Sequence, residues 1–417
     1  MKILHINNSD SSGGASRACT DINNALVQAG VESSVLVQTK RSNLKGINSI
    51  NTNFLEKSKS FIRKAVDYTT IKFFSVEYRG RFTFPYIGKD ISRLEIVRNS
   101  DIINLHWINE GFFSFNTLNQ LAKLKKPIVW TLHDMWSFTG GCHYSLGCEK
   151  FKRECYECPS LKFKGMNDFS KKIFNKKLKI YQDLNINIIT CSKWLSEQTR
   201  LSRVFQNRRI EVIPNTLKTD IYKPLDRFLV FNDLELDKDK KYILFGTMTL
   251  KDKRKGLDLF IESINLLVKK DPSILNKIEL LIMGSGKKMS KFNLPLKIRF
   301  LGRLGNEKQL AKFYNAGVLF VAPSREDNLP NTVMESLSCG TPVVAFNIGG
   351  IPDMIDHKIN GYLAQPFNVE ELADGILWVL NQQAPEQLKS YARNKIIQNF
   401  SYEKIALSYS EYYKSIL

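Results

Sequence analysis

Two carboxylates, Asp327 and Glu335, lie on either side of an Asn-Leu-Pro-Asn loop in the stretch SREDNLPNTVMESLSCGTPVV. The segment VMESLSCG repeats apolar residues at helical period, which predicts that a helix begins near Asn331 or Thr332. A helix start offers backbone N–H groups and partial positive charge, and it therefore favours phosphate. Glu335 should lie about one turn inside this helix, and Asp327 should lie on the loop before it.

This arrangement suits a nucleotide sugar. Carboxylates accept hydrogen bonds from sugar hydroxyls, while helix N–H groups bind phosphate oxygens. The alternative is a surface loop with one solvated acid, followed by a helix glutamate that faces water. The spacing of the two acids alone leaves both interpretations open.

Four of the seven cysteines lie close together, with the spacing Cys142-x5-Cys148-x6-Cys155-x2-Cys158. Four soft ligands suit tetrahedral zinc, and the last two cysteines have a separation that lets two thiolates bind one ion. His143 is an alternative ligand in place of one thiolate. A reducing cytoplasm disfavours two lasting disulfides. The segment is therefore either a structural zinc site or a loop with packed free thiols.

The segment NFLEKSKSFIRKAVDYTTIKFF has the pattern of an amphipathic helix. Its apolar residues at helical spacing are Phe54, Phe61, Ile62, Ala65 and Tyr68. Basic residues fall on the opposite face or along one flank, namely Lys59, Arg63, Lys57 and Lys64. Such a helix could lie on an anionic membrane surface, or it could be an ordinary helix packed on a sheet.

Short apolar runs alternate with helical segments along the chain, which predicts α/β architecture with parallel sheets. The pattern stops at IEVIPNTLKTDIYKPLD and restarts at KKYILFGTM. We therefore predict two Rossmann-like domains with a hinge near residue 220, and C-terminal helices that cross back to the first domain. The predicted ranges are 1–218, with a Cys-rich insertion at 140–160, then 219–393, and a returning helix at 394–417.

The composition is that of a globular protein, with 43% hydrophobic and 11% aromatic residues. No apolar run approaches the roughly 18 residues of a membrane helix, and the N-terminal apolar run is too short for a signal peptide. We expect a cytoplasmic protein. The net charge is +20, and residues 1–220 contribute 34 Lys and Arg against 19 Asp and Glu. Such a charge attracts nucleic acid, anionic membranes or phosphorylated substrates.

The stretch PSREDNLPNTVMESLSCGTPVVAF resembles the C-terminal signature of family 4 glycosyltransferases, which are retaining enzymes with the GT-B fold. Further segments resemble this family in the same order along the chain: GGAS, VIPNT, RKGLDLFIESI, IGGIPDMI and NGYLA. The family pattern is Glu-x7-Glu, and this chain has Asp327 in the first position. The resemblance implies two Rossmann-like domains that face each other across a cleft.

The resemblance also implies roles for individual residues in the donor half. Glu335 would bind the ribose hydroxyls, Asp327 the hydroxyls of the donor sugar, and Lys255 the diphosphate leaving group. The family usually has an arginine where this chain has Thr247, and Arg254 or Lys251 would substitute for it. The loop residues that would line the sugar and phosphates are Asn328, Leu329, Pro330, Asn331 and Thr332.

In the first half of the chain, Gly13 and Gly14 would permit close backbone approach to the phosphates or the acceptor. His133 follows a predicted strand and matches a histidine that lies near the family's reaction centre. The alternative is a structural histidine bonded at the strand end. His106 also ends a predicted strand, and both interpretations stay open there.

The implied reaction needs no bound cofactor. No Asp-x-Asp follows an apolar strand, and the Asp237/Asp239 pair lies in a charged run. Lys255 and helix N–H groups would stabilise the departing diphosphate. We expect a nucleotide-diphosphate sugar as donor, a glycan or lipid-linked glycan as acceptor, and no nucleic acid. Two alternatives are a sugar-nucleotide epimerase on the same fold and a basic, zinc-containing nucleic-acid-binding protein.

Overall fold

The computed structural model describes residues 1–76, 80–286 and 294–417. The chain forms two compact units. The first contains Met1–Thr216 together with Tyr402–Leu417, and the second contains Leu217–Ser401. Each unit has one parallel sheet with helices, as the alternating apolar and helical segments predict.

The first unit has a seven-stranded sheet in the order β3-β2-β1-β4-β5-β6-β7. All its neighbouring strands pair in parallel. Its strands are short apolar runs because both faces of a parallel sheet are covered by helices. Their bounds are β1 (Lys2–Ser9), β2 (Glu32–Thr39), β3 (Ile47–Ser49), β4 (Ile102–Leu105), β5 (Ile128–Leu132), β6 (Ile186–Thr190) and β7 (Ile210–Val212).

The helices of the first unit follow the connections between these strands. Their bounds are α1 (Gly14–Gln28), α2 (Phe54–Phe74), α3 (Glu95–Arg98), α4 (Phe115–Ala122), α5 (Phe169–Gln182), α6 (Lys193–Leu201) and the C-terminal α13 (Tyr402–Lys414). Most begin at a polar cap. For example, the Asp168 side chain accepts hydrogen bonds from the backbone N–H groups of Ser170 and Lys171 at the start of α5.

The second unit has a six-stranded parallel sheet in the order β10-β9-β8-β11-β12-β13. Its strands are β8 (Lys241–Thr249), β9 (Ile278–Ser285), β10 (Ile298–Gly302), β11 (Leu319–Ala322), β12 (Val343–Phe346) and β13 (Gly361–Ala364). Its helices are α7 (Arg227–Asp233), α8 (Leu257–Lys270), α9 (Glu307–Ala316), α10 (Asn331–Ser338), α11 (Val369–Leu380) and α12 (Pro385–Phe400). Across the described residues, no helix combines the length and apolarity needed to span a membrane.

The return of the chain to the first unit begins at Tyr402. Residues 394–400, predicted as part of the returning helix, belong to α12 in the second unit. Helix α13 packs against α1, and its buried tyrosines join a cluster with apolar residues of β1, β4, β5 and β6. Three tyrosine hydroxyls also bond to the unit: Tyr402 to Asp21, Tyr409 to Thr131 and Tyr413 to Asn104.

This packing makes α13 part of the first unit's core. Replacing the fully buried Tyr409 with alanine should cost about 3–5 kcal/mol of unfolding free energy, as for other large aromatic side chains. We expect a clearly lower midpoint of urea unfolding for Tyr409→Ala. Leu407→Ala is the matched control, because Leu407 lies in the same helix and is exposed. Equal midpoints for the two variants would contradict this role of α13.

Candidate functional site

The strand order of both sheets reverses direction once, between β1 and β4 in the first unit and between β8 and β11 in the second. Ligands of open parallel sheets bind beyond the carboxyl ends of the strands at such a reversal. The residues singled out in the sequence follow these strands. Gly13 comes after β1 and His106 after β4, while Lys255 comes after β8 and Asp327 after β11.

In the second unit, Asp327 is buried between two cations from the neighbouring loop. Lys255 Nζ donates to Asp327 Oδ2, and Arg254 Nη1 lies 3.3 Å from Asp327 Oδ1. Ser324 Oγ is 3.5 Å from Oδ2. Burial acts to raise the pKa of Asp327, but the charges of Lys255 and Arg254 outweigh it and lower this pKa from its ordinary value of 3.8. Asp327 is therefore ionised at neutral pH.

Two glycines hold the loop after β11 in place. A Cβ on Gly256 would lie 1.9 Å from the Pro323 carbonyl oxygen, and one on Gly349 would lie 1.8 Å from the Asp327 carbonyl oxygen. Both glycines have positive φ, at 69° and 54°. Any larger residue at these positions would collide with the loop backbone. Gly256 of the RKG segment and Gly349 of the IGG segment therefore pack directly against the backbone of the loop that carries Asp327.

Glu335 lies in the second turn of α10, which begins at Asn331 as the sequence predicts. Its side chain is buried, and Oε2 accepts a 2.7 Å hydrogen bond from the Tyr314 hydroxyl of α9. No side chain caps the start of α10, where Pro330 occupies the cap position. The first N–H groups of α10 and the carboxylate of Glu335 therefore belong to one short helix.

The candidates for the missing family arginine differ in their positions. Thr247 is buried within β8, and Lys251 is exposed. Arg254 is half-buried, and its guanidinium donates to the Glu326 carbonyl at 3.0 Å and to Asp252 at 3.1 Å, besides its contact with Asp327. The structure thus brings Arg254, and not Lys251, to the acidic loop.

In the first unit, Gly13 precedes α1 with a φ of 91°, and no atom lies within 4 Å of the position of its Cβ. Its backbone conformation, and not crowding, requires glycine there. Gly14 is the first residue of α1 and is exposed. Asn7 connects these loops, because its amide donates to Ser16 of α1 and accepts from the backbone N–H of Trp107 after β4.

Three histidines form a hydrogen-bonded row across the neighbouring strands β1, β4 and β5. His5 Nδ1 lies 2.9 Å from His106 Nε2, and His106 Nδ1 lies 2.9 Å from His133 Nε2. His133 Nδ1 is 3.5 Å from Cys191 Sγ, which follows β6. Burial lowers the pKa of His5 to about 3 and that of His133 to about 4. The row is therefore neutral at pH 7, and each ring has one donor and one acceptor nitrogen.

Two histidines of the row, His5 and His106, form a group of potential metal ligands with Cys19 of α1, and the ligand atoms of the three residues lie within 4.8 Å of one another. Among the described residues no other three-residue group of this kind is found. His5 Nδ1 and His106 Nε2 bond to each other, whereas the buried His5 Nε2 has no hydrogen-bond partner in the described part of the chain.

Two family models match the chain and divide it much as the two units do. The model described as Glycosyltransferase Family 4 matches residues 12–221, and the model described as Glycosyl transferases group 1 matches residues 239–382. The chain belongs to glycosyltransferase family 4.

Curated relatives include other glycosyltransferases. A putative colanic acid biosynthesis glycosyl transferase, WcaC of Escherichia coli, is 23% identical over 83% of this chain and 83% of its own length. A D-inositol 3-phosphate glycosyltransferase from Segniliparus rotundus is 26% identical over 48% of this chain. The chain spans 45% of that relative, and 59% of an uncharacterised glycosyltransferase from Methanocaldococcus jannaschii that is 27% identical.

Solved structures of glycosyltransferases share the fold of this family 4 chain. Sucrose-phosphate synthase from Thermosynechococcus elongatus has a TM-score of 0.67 at 17% identity, covering 100% of this chain and 99% of that one. Anabaena HepE in complex with UDP and glucose has a TM-score of 0.65 at 17% identity, with both chains covered completely. The predicted GT-B fold is confirmed.

Several polar residues of the candidate site in this family 4 chain carry no motif signal in the sequence. Tyr314 lies inside a helix, and His5 and Asn7 lie inside an apolar strand, where no loop motif draws attention to them. The recurring histidines in KILHIN, NLHW and TLHD were a usable signal, because neighbouring strands bring such positions together.

His143 does not serve the cysteine segment as its sequence position suggested. Its Nδ1 bonds to Asp134 at 2.7 Å, and its Nε2 lies 3.0 Å from the Thr83 hydroxyl. Trp107 Nε1 also donates to Asp134, at 3.0 Å. His143 and Asp134 therefore form a buried polar group of their own.

The Asp327 ion pair can be tested through stability. Lys255→Met should lower the unfolding free energy by about 1–3 kcal/mol, less than for a fully buried pair because Arg254 remains. Adding Asp327→Asn should recover part of this loss, since no carboxylate is then left underpaired. Urea unfolding of the single and double variants gives the comparison, and strictly additive losses would contradict direct pairing.

The ion pair between Asp327 and Lys255 also predicts how the unfolding free energy depends on pH. Because the Asp327 pKa is lowered in the folded state, its contribution is present above its ordinary pKa of 3.8 and is lost as pH falls through the lower folded value. The stability difference between wild type and Lys255→Met should therefore be complete at pH 6–7 and shrink below about pH 4. A difference that is unchanged at acidic pH would point to lost packing instead.

Proposed function

We propose that this protein is a retaining glycosyltransferase that moves a sugar from a nucleotide-diphosphate sugar to a glycan acceptor. The observation that carries this proposal is the pairing of Asp327 with Lys255 and Arg254 at the strand reversal of the second unit. A buried acid with two adjoining cations, beside the start of a helix, offers partners for both hydroxyls and phosphates.

In the proposed complex, Glu335 accepts hydrogen bonds from the ribose hydroxyls and Asp327 from the hydroxyls of the donor sugar. The backbone from Asn328 to Thr332 lines the sugar and phosphates. Lys255 and Arg254 compensate the charge that develops on the departing diphosphate, as preorganised cations do in many transferases. With two cations in this position, we propose that the reaction proceeds without a bound divalent metal.

The two cations also bear on the role of Asp327 in the reaction. They lower its pKa and hold its carboxylate by charge-assisted hydrogen bonds, which suits a hydroxyl acceptor better than a nucleophile. We therefore favour displacement on one face of the sugar, without a covalent sugar–enzyme intermediate. The product would keep the anomeric configuration of the donor.

For His133 we propose a contact with the donor sugar. Of its two ring nitrogens, Nε2 has a 2.9 Å partner in His106, whereas Nδ1 faces the Cys191 thiol at 3.5 Å. His133 is the one histidine of the row that is not fully buried, and we propose that a sugar hydroxyl contacts the accessible part of its ring. Gly13 and Gly14 would let the first unit's backbone approach the substrates.

We propose surface polysaccharide assembly as the setting, with a lipid-linked glycan as acceptor. The similarity to WcaC, which covers 83% of both chains, supports the polysaccharide. The UDP in the HepE structure supports a nucleotide-sugar donor. A lipid-linked acceptor would require the enzyme to work at the inner membrane face. Helix α2 has a surface that could contact that membrane.

Helix α2 exposes most of its apolar side chains to solvent. Phe61 and Ile62 are 74% and 59% exposed, while the buried residues of the helix are the polar Ser60 and Asp67. Phe54, another of its apolar residues, is also exposed. A helix packed on a sheet normally shows the opposite distribution, with its apolar face inward. Near the C-terminal end of α2, Ile71 and Phe74 pack against the first unit's core, whereas the apolar residues from Phe54 to Tyr68 are left exposed.

We propose that an anionic membrane surface covers this face. The exposed lysines Lys57, Lys59 and Lys72 lie on the same helix, and residues 1–220 carry a net charge of +15. Basic and apolar residues together suit insertion at the level of lipid headgroups. The association would be peripheral and would depend on salt.

Turnover tests the donor site. A screen of UDP- and GDP-sugars, with released nucleoside diphosphate as the measurement, identifies the donor. With that donor, Glu335→Ala and Lys255→Ala should each lower turnover at least about a hundredfold, as when one key electrostatic contact is removed. Glu262→Ala and Lys269→Ala are matched controls, because both residues are exposed on α8. Near-normal turnover in either site variant would refute its assigned role.

Vesicle sedimentation tests the membrane proposal. The wild type should sediment with vesicles of anionic lipid at low salt, and much less with neutral phosphatidylcholine vesicles or at high salt. Phe61→Ser combined with Ile62→Ser should abolish most of this binding. The control is Phe228→Ser with Leu229→Ser, because these side chains are 59% and 61% exposed in the other unit. Equal sedimentation of the two double variants, or none for wild type, would exclude α2 as the membrane contact.

A further inference from the structure

The four clustered cysteines line one cavity in the first unit. Cys142, Cys148, Cys155 and Cys158 all border it, and its volume is about 20 Å³. A space of about 10–15 Å³ is enough for one water molecule, so this cavity has room for a single ion. The segment lies between β5 and α5, where a short 3-10 turn at Lys150–Lys152 is the only helical piece among the described residues from 140 to 160.

The four thiols form no disulfide, and backbone N–H groups favour the thiolate form of two of them. Burial raises the pKa of Cys155 and Cys158, while the backbone N–H groups of Gly140 and Ser160, respectively, act to lower it. The Thr139 hydroxyl donates to the backbone carbonyl oxygen of Cys142 and not to its thiol. Hydrogen-bond donors beside a thiol favour its thiolate form. Metal-bound thiolates characteristically accept hydrogen bonds of this kind.

A buried lysine adds positive charge beside the cysteines. Lys177 of α5 is completely buried, and its ammonium donates to the carbonyl oxygens of Trp136 and Thr139. Burial lowers the pKa of Lys177 to about 7, while Cys142 and Cys155 act to raise it. Four thiolates around one divalent cation carry a net charge of −2, which a neighbouring ammonium partly compensates.

We propose that Cys142, Cys148, Cys155 and Cys158 bind one structural zinc ion as four thiolates. Zinc is the expected metal because four sulfur ligands without an open position are typical of its structural sites. The ion would connect the segment after β5 to the start of α5, and it would fix a long loop that has little regular structure. This proposal does not depend on the proposed transferase activity.

Binding requires a small rearrangement of the side chains. Zn–S bonds of about 2.3 Å place the sulfurs of a tetrahedral site about 3.8 Å apart. Among the described residues, no three of these sulfurs lie within 4.8 Å of one another. We propose that the cysteine side chains rotate toward the cavity that all four of them border. Each thiol would release its proton on binding, so affinity should rise with pH.

The main competing state of the four cysteines is a pair of disulfides. It predicts no metal, four cysteines that resist thiol reagents until reduction, and a mass four hydrogen atoms lower. Zinc predicts protection that is lifted by a strong chelator and not by a reductant alone. Free thiols predict neither metal nor protection. Because Cys155 and Cys158 are largely buried, protection alone does not distinguish these states, and metal content must be measured with it.

The experiment uses the full chain purified under reducing conditions without an affinity tag that binds metal. Elemental analysis should give close to one zinc per chain. Replacing zinc with Co²⁺ should give the visible absorption of tetrahedral cobalt together with thiolate charge-transfer bands, and this measurement needs no variant. Well under one zinc per chain and no cobalt spectrum would overturn the proposal, as would the mass of a disulfide-bonded chain.

Variants assign the metal to these residues. Cys148→Ser should lose most of the zinc, because Cys148 is a proposed ligand and is less buried than Cys155 or Cys158. The matched control is Cys339→Ala, which removes a buried thiol in the second unit and should retain about one zinc. Circular dichroism shows whether each variant is folded. Full zinc content in folded Cys148→Ser would exclude it as a ligand and overturn the four-thiolate site.

Discussion

The constraint that shapes both units is the single reversal of strand order in each parallel sheet. At that point the loops after two neighbouring strands leave in opposite directions, and the backbone between them is left open to a ligand. In the second unit this opening brings together Lys255 and Asp327, which are 72 residues apart in sequence. The contact survives burial because the carboxylate keeps two cationic partners, and an unpaired charge there would be strongly unfavourable.

The first unit uses the equivalent position for neutral groups. Burial keeps His5, His106 and His133 uncharged. The row of imidazoles therefore extends from the sheet interior to the strand ends and needs no acidic partner to balance a charge. The two units therefore differ in electrostatics although they share a topology. One presents fixed charge that suits a diphosphate, and the other presents hydrogen-bonding groups that suit hydroxyls.

Much of this could be predicted from the sequence, because the deciding signals are local. The helix that begins at Asn331, the parallel strands and the returning tyrosine-rich helix all follow from apolar period and turn residues. The orientation of α2 could not be predicted, since amphipathicity does not tell which face is covered, and the structure buries Ser60 and Asp67. The hydrogen bond between Tyr314 and Glu335 could not be predicted either. The chain has fifteen tyrosines, and only tertiary packing determines which of them contacts Glu335.

The position of α13 has a consequence for the order in which the protein is made and folds. Synthesis proceeds from the N-terminus, and domains generally fold as units once their residues are available. The second unit is continuous from Leu217 to Ser401, so all of it has been synthesised before α13 emerges. The first unit lacks Tyr409 and Tyr413 until then, and the side of its sheet that they cover stays open to water. The unit that is translated first is therefore the unit that completes its folding last.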